Sequence, residues 1–291
     1  MLERQAGKSR SPIAVLGQEL RSWSPSLKVG SAVMAFLVLV AIFAPLIAPF
    51  DPNYQDFEAI LVAPNPAHLF GTDNLGRDIF SRVVFGARID LVLGFLLTYV
   101  PMTYGVVIGA YAGYIGGRFD GILMRIIDVA MAFPFLVLII VILAILGPGT
   151  QNIYIAIFIV AWTMYARLAR AEMMVERTKD YMVAAKVLGF PRTRIIFVHG
   201  LPNVINSSIV FSASDFVLNI VLVSGLSFIG LGIQPPAPEW GSMIAEGRDF
   251  MRQAWWIAIL PGFAIVLTGM ALVLIGDGLA RRLGERHHTM V

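Results

Sequence analysis

The stretch Val29-Gly-Ser-Ala-Val-Met-Ala-Phe-Leu-Val-Leu-Val-Ala-Ile-Phe-Ala-Pro-Leu-Ile47 carries no charge. As a helix rising about 1.5 Å per residue, it is long enough for a hydrocarbon core of roughly 30 Å. Five basic residues precede it: Arg4, Lys8, Arg10, Arg21 and Lys28. A cleaved signal peptide has an apolar region of only about 7–15 residues. The run is therefore expected to be a retained first span, preceded by a cytoplasmic segment over 1–28.

The rest of the chain agrees with a bilayer as solvent. It has 291 residues, of which 57% are hydrophobic and 14% charged. Soluble domains carry about 25% charged residues, so this chain has too little polar surface to cover a soluble globule. Net charge is only +3, which argues against a nucleic-acid partner and fits a membrane protein in contact with lipids. There are no cysteines, so thiol catalysis, disulfides and cysteine metal sites are excluded. Apolar stretches near 29–48, 90–114, 122–146, 153–171, 205–232 and 255–277 predict six transmembrane helices, because in lipid the backbone must satisfy its own hydrogen bonds. Pro101, Pro134 and Pro261 fall inside spans and predict kinks.

With the N-terminus inside, 17 of the 22 Lys and Arg residues lie on the cytoplasmic side; Arg77, Arg82, Arg88, Arg248 and Arg252 lie outside. That bias predicts both termini in the cytoplasm. The membrane domain is expected over 29–277, with an outer cap at 50–89, an inner loop at 172–203 and a tail at 278–291. Gly105, Gly109, Gly113 and Gly117 repeat every four residues, placing small residues on one helix face. Close packing within the chain is the expected use, with a subunit interface as the alternative.

No phosphate-binding G-x-x-x-x-G-K-[ST] loop occurs, so no ATP hydrolysis site is recognisable in this chain. Nor do the four histidines, at 68, 199, 287 and 288, make a metal-ligand spacing. The inner loop is more informative: Asp180-Tyr-Met-Val-Ala-Ala-Lys-Val-Leu-Gly-Phe-Pro191, running on to Leu201-Pro202-Asn203. Asp180 is expected to cap a short helix. Gly189 can end it in a left-handed conformation, and Pro191 prevents its continuation. A second short helix is predicted over about 192–199. Ala184 and Ala185 offer little bulk, so a partner groove can close on the backbone; Lys186, Arg192 and Arg194 can meet acidic groups or lipid phosphates. Read from physics alone, an interfacial elbow without a partner is equally admissible.

The pattern A-A-x-x-x-G followed by Leu-Pro resembles the coupling loop of ATP-binding-cassette importer permeases. Val183 stands where that family commonly has a glutamate, so the salt bridge sometimes made there is not carried over. Phe70-Gly-Thr-Asp-Asn-Leu-Gly-Arg-Asp-Ile-Phe-Ser-Arg82 with Gly86-Ala-Arg88 is similar to the outer segment of the second permease of dipeptide, oligopeptide and nickel importers. Leu226-Ser-Phe-Ile-Gly-Leu-Gly232, Gln234-Pro-Pro-Ala-Pro-Glu-Trp-Gly-Ser-Met243 and Gly276-Asp-Gly-Leu279 resemble the same group. Two departures stand near the end: Val273-Leu274-Ile275 replace a usual Asn, and the tail lacks the usual Asp-Pro.

The resemblance implies an all-α protein with type I importer architecture and no catalytic site. Its coupling residues are Asp180, Tyr181, Ala184, Ala185, Lys186, Gly189, Arg192, Leu201 and Pro202. It further implies a homologous second permease, two ATPase chains that hold ATP and Mg, a periplasmic or lipid-anchored binding protein, and a place in a bacterial or archaeal cytoplasmic membrane. The expected cargo is a peptide or similar small polar solute.

Asp73, Arg77, Asp78 and Arg82 alternate in sign at near-helical spacing. They are expected to lock the outer cap through ion pairs, each worth only about 0–1 kcal/mol if exposed, or else to receive a delivery protein. Trp240, Trp255 and Trp256 are expected in an interfacial aromatic belt. Asp215, with Ser212 and Asn219 on related faces, falls near mid-membrane and is a candidate for the translocation path, where it can meet a substrate ammonium; a buried structural Asp is the alternative. Arg125 and Asp128 are expected to pair at i, i+3. Two other readings stay open: an ion-coupled secondary carrier using Asp215, and a non-transporting scaffold.

Overall fold

A computed structural model describes residues 23–288. Arg4, Lys8, Arg10 and Arg21 of the expected N-terminal segment lie outside the described residues. The elements are α1 (Pro25–Ile42), α2 (Ile79–Ile115), α3 (Gly117–Met131), α4 (Phe135–Leu146), α5 (Thr150–Glu176), α6 (Asp180–Val187), α7 (Leu201–Phe228), α8 (Trp240–Gly247) and α9 (Trp256–His288). A single turn, Ala44–Ile47, follows α1. Among the described residues the only bridge between extended segments joins Thr72 and Asp78. The protein is all-α and integral to the membrane.

Among the described residues, five helices are long and apolar enough to cross: α1, α2, α5, α9 and a continuous helix over Arg192–Phe228 that contains α7. The predicted third span, 122–146, is not one helix. It is broken into α3 and α4, bent by 84°. Pro134 sits at the break as the residue before α4, with extended-type ψ of 128°. Pro101 and Pro261, by contrast, stay inside unbroken helices. Both are buried among neighbouring helices, whereas residues 132–137 are exposed all round. No neighbour within this chain holds the backbone straight across Pro134, so its missing amide and its ring clash open the chain. A pair α3–α4 crossing together makes up to six spans.

The second span starts earlier than its predicted 90–114. Asp78 caps α2 by accepting from the Ser81 amide at 2.8 Å, which adds 79–89 to the helix and shortens the cap to about 50–78. The sixth runs past 277 into the predicted tail, through His288.

Helices α2 and α5 share the most extensive contact. A Cβ on Gly105, Gly109 or Gly113 would lie 2.7, 2.1 or 2.6 Å from the carbonyl oxygen of Trp162, Ala166 or Arg170. The small-residue stripe thus packs within the chain, backbone against backbone. Gly117 is not part of it: it lies beyond α2 with nothing within 4 Å. At the same end Arg177 Nη1 donates to the carbonyls of Gly113 and Tyr114, at 3.0 and 3.2 Å. Asp128 bonds Arg167 rather than the predicted Arg125, and Asp120 takes Arg170 Nη2 at 2.7 Å. Two arginines of α5 therefore hold α3.

Candidate functional site

The inner elbow is built by three local devices. Helix α6 begins after Lys179, whose carbonyl accepts from Met182 and Val183 at 3.0 and 3.1 Å. Asp180 is therefore not the cap that was expected; it is the first helical residue, where its charge still favours the positive end of the helix. Gly189, at φ +78°, closes the helix. Its amide donates to Lys186 O and that of Phe190 to Ala185 O, the paired bonds of a Schellman stop. Arg192–Arg194 then starts a helix that does not end before Leu201-Pro202 as predicted. A π turn, Ile195–Gly200, leads straight into α7. Pro202 lacks an amide and crowds the carbonyl four residues back; a widened turn immediately before it accommodates both.

The two alanines divide. Ala184 is exposed, but Ala185 is buried with Met182 against Met173, Ile195 and Ile196. The pair was expected to face a partner together; one helical step of about 100° separates adjacent side chains, so only one can. Tyr181, Lys186, Gly189, Arg192 and Pro202 are exposed and Leu201 is half-buried. Beside Ala184, the outward face carries Val183, Val187 and Leu188, at 47%, 80% and 72% exposure.

A second cluster lies within the bundle. Asp215 Oδ2 accepts from Tyr165 Oη at 2.8 Å and from Asn219 Nδ2 at 3.2 Å. Asn219 also reaches Thr98 Oγ1 at 3.0 Å. Helices α5 and α7 therefore meet at the carboxylate, and α2 joins them through Asn219. Ser212 does not join them; its hydroxyl returns to Ile209 O at 2.7 Å. Tyr165 and Thr98 had no signal in the sequence, lying 50 and 117 residues from Asp215 with only their hydroxyls to mark them.

The outer residues are buried, not exposed. Asp73, Arg77, Asp78 and Arg82 are 0–3% exposed. Asp73 Oδ2 meets Arg77 Nε at 2.5 Å, and Arg77 Nη2 reaches Glu246 of α8 at 2.6 Å. Arg82 Nη2 lies 3.4 Å from the same Glu246 oxygen. Asp78 is taken up by capping α2 and by His68, at 3.0 Å. The four do not share one helix: 73–78 is a turn, and Glu246 joins the arginines from a distance. The belt is corrected too: Trp240 and Trp256 are buried, their indole nitrogens donating to Val83 O and Thr72 O, while Trp255 is exposed. Asp90 and Glu239, which sequence reading passed over, receive the first three amides of α8.

The family described as binding-protein-dependent transport system inner membrane component matches residues 105–288, a run that holds the elbow and Tyr165, Asp215 and Asn219. The chain belongs to this family. The N-terminal transmembrane domain of oligopeptide transport permease C matches residues 25–64. A di/tripeptide transport system permease protein of Pseudomonas aeruginosa is 41% identical, over 88% of this chain and 87% of that protein. A glutathione transport system permease protein of Pectobacterium atrosepticum is 40% identical, over 91% and 90%. A probable D,D-dipeptide permease of Escherichia coli is 40% identical, over 88% and 86%. As a permease of this family, the chain is the membrane subunit of an ATP-binding-cassette importer. Nothing in these relationships supports the ion-coupled carrier.

Proposed function

We propose that this permease forms half of a path for short peptides or similar small polar solutes bearing a free amino group. A homologous second permease supplies the other half, and a binding protein delivers the solute. Two ATPase chains, holding ATP and Mg, dock at the α6 elbow. Both termini lie in the cytoplasm in this reading. The observation that carries it is the outward face of α6: Val183, Val187 and Leu188 stand in the open beside Lys186. Exposed aliphatic groups on a short polar insert are costly to leave in water, at about 25 cal/mol per Å². A partner groove removes that cost. Lys186, Arg192 and Arg194 suit acidic residues around the groove or lipid phosphates at its edge. Asp180, Tyr181, Ala184, Gly189, Leu201 and Pro202 set the shape of the elbow, and Ala185 anchors it.

The test is retention of the ATPase. Val187→Asp with Leu188→Asp is expected to strip the ATPase chains from the purified complex and to abolish ATP-dependent uptake in proteoliposomes. Full retention and uptake by this variant would remove the docking reading.

The Asp215 cluster supports the amino-group part of the proposal. Both donors sit on one oxygen, Oδ2; among the described residues no side chain bonds Oδ1. The named relatives handle di- and tripeptides, D,D-dipeptides and glutathione, which share a primary ammonium. Asp215→Asn keeps the Tyr165 bond and removes the charge. Uptake of a peptide with a free amino terminus is expected to fall about tenfold, the scale of a charge-assisted hydrogen bond. Uptake of an N-acetylated peptide should change little. Equal rates for variant and unaltered protein on both peptides would return Asp215 to a purely structural role.

A further inference from the structure

We infer that Glu176, Tyr181 and Asn203 form a clasp fastening α6 to the inner ends of α5 and α7, and so act as positioning residues for coupling ATP hydrolysis to transport. The inference rests on the reading of α6 as the docking element.

Three elements converge on one phenol hydroxyl, that of Tyr181. Glu176 is the last residue of α5 and is 6% exposed. Its Oε1 accepts from the Tyr181 hydroxyl, and its Oε2 meets Lys179 Nζ at 2.8 Å. Asn203, in the first turn of α7, donates through Nδ2 to Tyr181 Oη at 3.0 Å and to His199 O at 2.8 Å. Tyr181 is the middle link, accepting a hydrogen bond from Asn203 and donating one to Glu176. Burial, and then the bond to Glu176, push its phenol above the usual range, so it remains a donor at any physiological pH.

The clasp lies on a different side of α6 from Val183 and Val187. Tyr181 and Ala185, at i and i+4, share one side, on which Ala185 is buried, while Val183 and Val187 share another. Apolar packing of Met182 and Ala185 alone permits sliding. Directional bonds from the clasp fix the rotation of α6 relative to α7. A partner that moves α6 must then move the whole 192–228 helix.

Tyr181→Phe keeps the ring and removes the link; Asn203→Ala removes it from the other side. Each variant should assemble with the ATPase and hydrolyse ATP, while solute imported per ATP hydrolysed falls about tenfold, as expected for a lost bond to a charged group. The double variant should fall no further, because both break the same chain. Packing lost for structural reasons alone would lower yield or thermal midpoint without moving this ratio. Unaltered ratios in Tyr181→Phe and Asn203→Ala, in a complex from which Val187→Asp with Leu188→Asp strips the ATPase, would overturn the clasp and leave docking intact. Loss of the ATPase from Tyr181→Phe would also overturn it, by placing the hydroxyl in the docking contact. Retention of the ATPase by the Val187/Leu188 variant is the separate outcome that defeats the docking reading, and the clasp with it.

Discussion

Gly109→Val is expected to remove folded permease from the membrane fraction. A Cβ at 109 would stand 2.1 Å from Ala166 O and 2.7 Å from both Ala166 C and Cα. These are backbone atoms in the middle of α5, so no side-chain rotation relieves the clash. Separating α2 from α5 to make room also undoes the close approach at Gly105 and Gly113, where an added Cβ would stand 2.7 and 2.6 Å from a facing carbonyl oxygen. Inserting a methylene into a good core costs about 1–3 kcal/mol; here two helix backbones must part, so the penalty exceeds that range. Gly121→Val is the control, since nothing lies within 4 Å of its added Cβ. The measurement is yield and monodispersity after detergent extraction. Gly109→Val protein that elutes and melts like the unaltered chain would contradict the close helix crossing.

Arg77→Met is expected to release the outer cap. The substitution leaves Asp73, fully buried, facing Arg82 Nε at 3.9 Å, and Glu246 with the longer 3.4 Å contact to Arg82 alone. Breaking a buried pair by removing one partner costs about 3–5 kcal/mol, because the surviving charge stays desolvated. On a chain of this size that lowers the thermal midpoint by roughly 10 °C. Because the arginine joins the cap to α8, limited proteolysis should cut the 50–78 segment in the variant and spare it in the unaltered chain. Arg252→Met, at an exposed position, should do neither. If Arg77→Met leaves the midpoint and the cleavage pattern unchanged, the network contributes only what exposed ion pairs contribute, about 0–1 kcal/mol.

What the sequence made legible follows from the range of each signal. Span existence rests on hydropathy within about 20 residues, and α1, α2, α5, α7 and α9 stand where it pointed. Gly189 was readable as a helix stop because its role depends on the next residue and the three before it. The glycine stripe was readable as a close contact, since four-residue spacing alone sets the face. Interactions across the chain were not readable. Arg77 and Glu246 are 169 residues apart, and Tyr165 and Asp215 are 50 apart. No local pattern selects Glu246 over any other outer acid. The alternating charges at 73–82 imitated a helix because turns also place Asp and Arg at such intervals. Pro134 broke its span where Pro101 and Pro261 did not, a difference set by neighbours rather than by the prolines.

The helix over 192–228 has 37 residues and so measures about 55 Å. One end lies in the elbow and the other just before the loop that leads to α8. A rod of that length converts angle into distance: a tilt of about 5° at the elbow displaces the far tip by about 5 Å, close to one helical pitch. If the elbow is the docking site, modest torque there shifts the far end of this rod, whose one irregular stretch is the π turn at Ile195–Gly200.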